Sequence, residues 1–174
     1  MSILSIDIGG TFIKYALMDQ DAAILSRGKI PTPQKGRTEL VEAIGRLYDD
    51  MPDVEGIAIS MPGIIDSENG YCVMGGALGY NDDFYFRHVL YERCPVKIVI
   101  ENDAKCAAMA EARMGALKDV SDGPVLIEYI RRHLNQLYSD CPYRIPRAEI
   151  VTCKFQNDAN LYGAMQCYLE NVRM

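Results

Sequence analysis

The sequence predicts an α/β protein whose mixed sheet starts with an antiparallel meander and is flanked by helices. Two observations predict this class. Short apolar, alternating stretches come first with connections too short for a crossover, and later apolar runs alternate with segments of helical periodicity. The chain has 174 residues, of which 49% are hydrophobic and 24% charged, which is typical of one globular domain with a real core.

Three strands are predicted at the start of the chain, over residues 3–8, 12–18 and 23–30, from their apolar and β-branched alternation. The first two are separated by Gly9-Gly10-Thr11 and the next two by Asp19-Gln20-Asp21. Connections of this length permit only antiparallel neighbours, so the three strands form a meander.

The rest of the chain predicts strands and helices in alternation. Thr38 is expected to cap a helix with apolar residues at helical spacing, and Pro52 ends that helix. Residues 61–83 are expected to form a long irregular loop. The remaining predicted elements are strands at 56–60, 96–101 and 148–155 and helices at 84–92, 104–117, 125–138 and 159–170.

Charge and composition exclude several classes of function. The net charge of −6 argues against nucleic-acid or membrane-surface binding, and no apolar run approaches the roughly 20 residues that span a bilayer. No signal peptide is recognised at the start, so a cytoplasmic location is expected. The six cysteines are far apart and the two histidines lack ligand spacing, which predicts reduced thiols and no zinc site.

The first motif is the segment Ile6-Asp7-Ile8-Gly9-Gly10-Thr11. A carboxylate ends a buried strand, and two glycines then allow backbone N–H groups to face phosphate oxygens while Asp7 binds Mg²⁺ directly or through water. The alternative is an ordinary Gly-Gly hairpin with a capping Asp. Neither GxGxxG nor GxxxxGK[ST] occurs in the chain, so the usual dinucleotide and P-loop signatures are excluded.

Further polar residues follow other buried strands. Asn102 and Asp103 end the strand at 96–101, where Asp103 could accept the proton of an attacking hydroxyl; the alternative is that they only cap the next helix. Gly63 lies in a Pro-Gly turn, and Asn81 lies in a glycine-rich loop that could bind a polyol. Gly163 allows close approach of a flat ligand or, more commonly, of another helix.

In their order and spacing, the segments IDIGGTFIK, ISMPGIID, IENDAKCAAMAEA and NDANLYGA resemble the ROK family of bacterial sugar kinases and related repressors. The resemblance covers residues 1–123 without a break and residues 124–174 more loosely. It implies the ribonuclease-H-like fold of actin-like ATPases. Residues 1–123 would be the N-terminal lobe, and 124–174 a C-terminal helix–strand–helix unit packed back on that lobe.

The resemblance also implies an activity, the ATP-dependent phosphorylation of a hexose or N-acetylhexosamine hydroxyl with Asp103 as general base. ATP and Mg²⁺ are the implied cofactors, and Asp7 is the implied Mg²⁺ residue. The implied nucleotide-side residues are Asp7, Gly9, Gly10, Thr11 and Gly163. The implied sugar-side residues are Gly63, Asn81, Asn102 and Asp103.

The chain departs from the family after Gly123. The second glycine-rich phosphate loop, the zinc segment and a sugar-binding Glu and His pair are missing, which indicates an internal deletion that removes most of the second lobe. Kinase activity is therefore expected to be impaired in this form, and zinc is not expected. The alternative is a non-catalytic sugar-binding or self-associating remnant, and a homodimer or other self-association is expected. A repressor is disfavoured because no helix-turn-helix precedes Asp7 and the chain is acidic.

Overall fold

The computed structural model describes residues 2–114 and 154–173, and the elements below all lie in those two ranges. The strands are β1 (Ser2–Ile8), β2 (Phe12–Asp19), β3 (Ile24–Pro31), β4 (Val54–Met61), β5 (Ile64–Asp66), β6 (Tyr71–Met74) and β7 (Lys97–Asn102). The α-helices are α1 (Arg37–Asp49), α2 (Phe86–Arg93), α3 (Asp103–Met114) and α4 (Ala159–Arg173). Short 3-10 turns occupy Gly79–Asn81 and Gln156–Asp158.

Five of the strands form the central sheet, in the order β3-β2-β1-β4-β7. The pairs β1–β2 and β2–β3 are antiparallel, which confirms the predicted meander, whereas β1–β4 and β4–β7 are parallel. The carboxyl ends of the three parallel strands therefore meet at one edge. There Asp7 is paired with Ser60 and Met61 with Asn102.

Helices cover both faces of the sheet. Leu4 and Ile6 point to the face under α1, whereas Ile3 points to the face covered by α3 and α4. Since successive side chains of a strand point to opposite faces, a strand buried on both sides needs a nearly continuous apolar sequence. The segment SILSIDI of β1 meets this requirement and is buried from Ile3 to Ile8.

Two expectations about local structure are wrong. Helix α1 begins at Arg37, and Gly36 occupies the cap position without a side-chain cap, so Thr38 lies inside the first turn. The stretch 61–83 is not irregular throughout, because β5 and β6 form an antiparallel hairpin. Its strands are short and expose Ile64, Val73 and Met74, so their sequence carries no clear alternation. Pairing with the rest of the fold stabilises the hairpin, since Cys72 and Phe84 exchange backbone hydrogen bonds.

Towards the end of the chain, the predicted helix at 125–138 and most of the predicted strand at 148–155 lie outside the described residues. So do Cys141, Cys153 and His133. The predicted terminal helix is confirmed as α4, which extends to Arg173. None of the helices in the described ranges has the length and apolarity required to cross a bilayer.

Candidate functional site

The carboxyl ends of β1, β4 and β7 carry polar side chains that are close together. Asp7 at the end of β1 is 7% exposed, and its Oδ1 accepts a hydrogen bond from Ser60 Oγ of β4 at 3.4 Å. Asn102 is the last residue of β7. In α/β folds, ligands bind outside the carboxyl ends of the parallel strands, so this edge is the candidate site.

Asp7 is held by groups from two other parts of the chain. Asn160 Nδ2 of α4 donates to Asp7 Oδ1 at 3.0 Å, and Lys14 Nζ of β2 lies 3.5 Å from Asp7 Oδ2. Lys14 Nζ in turn donates to the carbonyl oxygen of Asn157 at 2.9 Å. A buried carboxylate needs such partners, and these contacts fix its orientation.

The loop between β1 and β2 has its carbonyl groups bound on one side. Thr32 Oγ1 donates to the Gly9 carbonyl at 2.7 Å, and the Thr32 N–H donates to the Thr11 carbonyl at 3.0 Å. Gln34 Nε2 donates to the Gly10 carbonyl at 3.0 Å. The segment after β3 therefore holds all three carbonyls of the loop.

The N–H groups of the same loop are used differently. The Gly9 N–H donates to the Phe12 carbonyl at 3.0 Å and closes the hairpin, so the hairpin alternative describes the backbone correctly. Within the described ranges, the N–H groups of Gly10 and Thr11 and the Thr11 hydroxyl have no protein acceptor. Both residues are exposed, and adjacent free N–H groups of this kind bind anions such as phosphate.

One carboxylate near this loop could hold a magnesium ion. Mg²⁺ is usually bound by one or two carboxylates, substrate phosphates and water. Asp7 supplies one carboxylate, and its Oδ2 has capacity left beside Lys14. Residues 2–114 and 154–173 contain no cluster of three His, Cys, Asp or Glu side chains suited to a metal. Asp7 is thus the one carboxylate near this loop that could hold the ion, with its other ligands supplied from outside the described residues.

Replacing Thr32 by valine is expected to loosen this loop. Valine keeps the shape of the buried side chain but removes the donor to Gly9, which leaves a carbonyl unpaired at a cost of about 1–3 kcal/mol. Chemical denaturation should show this loss, and amide hydrogen exchange at Gly9, whose N–H is hydrogen-bonded to the Phe12 carbonyl, should accelerate. Thr38→Val, on the exposed first turn of α1, is the control and should change neither measurement. Unchanged exchange in Thr32→Val would contradict the role of this hydrogen bond.

Asn102 has its side-chain amide fully engaged. Its Oδ1 accepts from the Lys105 N–H at 3.1 Å and so caps α3, while its Nδ2 donates to the Gly63 carbonyl at 2.8 Å and to Asp103 Oδ1 at 3.1 Å. The Ala104 N–H also donates to Asp103 Oδ1, at 2.8 Å. Asp103 is half-buried, and no described residue donates a hydrogen bond to its Oδ2. The carboxylate is thus oriented through its Oδ1.

Gly63 lies under the loop that follows β6. Its φ is +111°, and a Cβ there would be 2.0 Å from the Met74 carbonyl oxygen. The same loop brings a Cβ position at Gly76 to 3.1 Å from Gly63 N and the Cβ of Ala77 to 3.6 Å from the Cβ position at Gly10. The loop therefore contacts both Gly63, which binds Asn102, and the loop between β1 and β2.

Asn81, at the end of this loop, is fully buried, and neither atom of its side-chain amide has a hydrogen-bond partner among the described residues. Leaving such groups unpaired is costly, so a water molecule or a ligand hydroxyl is expected there. The neighbouring Tyr80 hydroxyl donates to the Pro33 carbonyl at 2.8 Å. Pro33 separates Thr32 from Gln34, so this contact joins the Asn81 turn to the segment that holds the glycine loop.

The structure thus brings eight of the nine predicted site residues to one connected edge. Gly163 lies elsewhere, at the contact of α3 and α4, where a Cβ would be 1.8 Å from the Cys106 carbonyl oxygen. This is the helix-packing role weighed as the alternative for Gly163, and its place near adenine stays a prediction. The polar residues that contact Asp7 or the glycine loop but were not predicted are Lys14, Thr32, Gln34, Ser60 and Asn160.

Two known proteins that resemble this chain are both kinases that act on sugars or glycosides. The chain is 33% identical over 126 residues to a beta-glucoside kinase of Klebsiella pneumoniae, which covers 72% of this chain and 42% of that protein. It is 30% identical over 119 residues to an N-acetyl-D-glucosamine kinase of Vibrio cholerae, covering 66% and 39%. The chain thus spans about two fifths of the length of the curated relatives it matches.

A solved structure of similar fold is the ROK family glucokinase of Streptomyces griseus in complex with glucose and AMPPNP. It has a TM-score of 0.62 and 28% identity, and the match covers 70% of this chain and 39% of that one. This likeness and the mixed five-stranded sheet confirm the ribonuclease-H-like fold of actin-like ATPases. A model of the ROK family matches residues 3–128, which is more than half of the sequence, and the chain therefore belongs to the ROK family.

Proposed function

We propose that this chain is derived from a sugar kinase that phosphorylates a hydroxyl of a hexose or N-acetylhexosamine with ATP. The observation that carries the proposal is the Asp103 carboxylate, whose Oδ1 is oriented by Asn102 and the Ala104 N–H at the same sheet edge as the glycine loop. The kinase activities of the three relatives support it.

Each group at the edge has a role suited to phosphoryl transfer, which depends on positioning and charge stabilisation. The Asp103 carboxylate accepts the proton of the sugar hydroxyl as that hydroxyl attacks the terminal phosphate. On the sugar side, we place Asn81 by family resemblance, while Asn102 and Gly63 fix the position of Asp103. The N–H groups of Gly10 and Thr11 bind phosphate oxygens.

The nucleotide side depends on Asp7 and on the loop that Gly9 begins. Mg²⁺, when bound, neutralises phosphate charge, and Asp7 would hold it directly or through water. We place Gly163 near the adenine by family resemblance alone. ATP is held inside cells, so a kinase of this kind would work in the cytoplasm.

Activity in this form is proposed to be weak or absent. No second glycine-rich loop follows Gly123, and catalysis by this fold depends on two lobes that exclude water around the reacting groups. We propose that residues 1–123 form the N-terminal lobe and that 124–174 pack back on it. The second candidate function is a sugar-binding or self-associating remnant. The exposed side chains of Ile64, Val73 and Met74 on one hairpin favour self-association as a homodimer.

Thermal unfolding and an ADP-release assay test this proposal together. A sugar present at 100 times its Kd should stabilise the chain by about 2.7 kcal/mol, and Asp103→Asn should show which responses need the carboxylate. Sugar-dependent ADP release that falls about 10²–10⁴-fold in Asp103→Asn would establish a kinase and overturn the expected impairment. Stabilisation by sugar but not by MgATP would favour the sugar-binding remnant. No response to any sugar or to MgATP would contradict both the kinase and the sugar-binding remnant, and light scattering would then test self-association.

A further inference from the structure

Helices α3 and α4 are packed unusually closely on one face of the sheet. Gly163 of α4 lies directly against the backbone of Cys106 in α3, with its Cβ position 2.7 Å from Cys106 Cα. Cys167 is four residues after Gly163, so it lies one turn further along the same side of α4. Cys106 and Cys167 belong to the same buried cluster and are both reduced.

The two thiols lie in the same buried cluster, where the close approach of α3 and α4 makes them unequal. Interaction with Cys106 lowers the pKa of Cys167 by stabilising its thiolate. Interaction with Cys167, followed by burial, raises the pKa of Cys106. By contrast, burial raises the pKa of Cys72 and of Cys94 to about 11. Because the thiolate is the reactive form, Cys167 is the most nucleophilic of these four thiols.

Access to the pair is also unequal. Cys106 is 0% exposed, whereas Cys167 is 8% exposed and lines a cavity of about 410 Å³ beside the edge strand β7. Val99, Ala108 and Met109 supply apolar walls to this cavity. A small oxidant could therefore reach the sulfur of Cys167 but not that of Cys106.

We propose that Cys106 and Cys167 form a redox modification site, where a hydroperoxide converts the two thiols to an intramolecular disulfide. Cys167 sulfur attacks one peroxide oxygen, the O–O bond breaks, and the hydroxide that leaves takes the Cys167 proton to give water and a sulfenic acid. Cys106 sulfur then attacks Cys167 sulfur, the S–O bond breaks, and the Cys106 proton leaves with the hydroxide as a second water. Two thiols are oxidised and one hydrogen peroxide is reduced.

The disulfide would tie together two helices that both begin at the candidate site. Asp103 is the first residue of α3, and Asn160, which holds Asp7, is the second residue of α4. Oxidation would fix the distance between these two parts of the site. The chemistry of the pair does not depend on kinase activity, so the proposal stands apart from the proposed function.

Peptide mapping of the wild-type chain tests the proposal. The reduced, folded protein is treated with one equivalent of hydrogen peroxide, and its mass should fall by two hydrogen atoms. Cleavage after Lys and Arg places Cys106 alone in the peptide 106–113 and Cys167 alone in the peptide 155–173. The expected result is a cross-link between these two peptides that disappears on reduction. The oxidised chain should melt roughly 5–10 °C higher, because the cross-link closes a long loop.

Variants test the order of the two steps. Cys106→Ser should stop at the sulfenic acid on Cys167, which a 1,3-dione reagent traps, whereas Cys167→Ser should resist oxidation at Cys106. Cys94→Ser is the matched control from the opposite face of the sheet and should form the cross-link normally. A wild-type cross-link between other cysteines, oxidation only after unfolding, or direct conversion of Cys167 to sulfinic acid would each overturn the proposal.

Discussion

Replacing Gly163 by alanine is expected to destabilise the protein by about 3 kcal/mol, which lowers the melting temperature by roughly 10 °C. The added Cβ would lie 1.8 Å from the carbonyl oxygen and 2.2 Å from the carbonyl carbon of Cys106. These atoms belong to the backbone of α3, so no side chain can rotate away. Since alanine is normally favoured over glycine inside a helix by about 1 kcal/mol, a loss of stability would have to come from this contact.

Gly79→Ala is the control for that experiment. A Cβ at Gly79 would have no heavy atom within 4 Å. The melting temperature of Gly79→Ala should therefore change no more than it does for an ordinary surface substitution. Denaturant unfolding of both variants would give the free-energy differences. A Gly163→Ala protein with the wild-type melting temperature would show that α3 and α4 do not pack as described.

Replacing Gly63 by alanine is expected to abolish stabilisation by sugar as well as to destabilise the fold. The φ of +111° costs a residue with a Cβ about 1–3 kcal/mol, and that Cβ would lie 2.0 Å from the Met74 carbonyl oxygen. The backbone must therefore move, and the Gly63 carbonyl would no longer hold Asn102 Nδ2. Asp103 then loses its orientation, because the same Nδ2 donates to Asp103 Oδ1.

Gly36→Ala is the control that distinguishes backbone strain from a steric clash of the added Cβ. Gly36 also has a positive φ, of +150°, but a Cβ there meets no atom within 4 Å. It should lose some stability through strain alone and keep its full response to sugar. Thermal shifts of both variants at saturating sugar would decide this, provided that the wild-type chain responds. If sugar raised the melting temperature of Gly63→Ala as much as that of the wild type, Gly63 would have no role in sugar binding.

Strands and their pairing could be predicted where the length of a connection or the local apolar pattern determines them. Connections as short as Gly9–Thr11 force an antiparallel pair, and the apolar runs of β4 and β7 match strands buried on both faces. The hairpin of β5 and β6 could not be predicted in this way. Its stability depends on pairing with distant Phe84 and not on its own sequence pattern.

The candidate site was predicted for residues that end strands and missed for residues that support them. Lys14 could have been found, since a three-residue turn places it opposite Asp7 in the hairpin register. Thr32 and Asn160 could not, because their contacts with Gly9 and Asp7 depend on the tertiary packing of the segment after β3 and of α4. Sequence motifs indicate which side chains carry chemistry, whereas tertiary contacts determine what orients them.

The packing of α4 on β1 has a consequence for the order of folding during synthesis. Ser5 Oγ donates to the Leu161 carbonyl, 156 positions later, at 2.7 Å. The ribosome makes β1 before α4, so the contacts that α4 makes with one face of that strand cannot form until α4 has emerged. Pairings this distant in sequence fold slowly and leave apolar strands exposed in the meantime. The nascent chain should therefore depend on chaperones until α4 is synthesised.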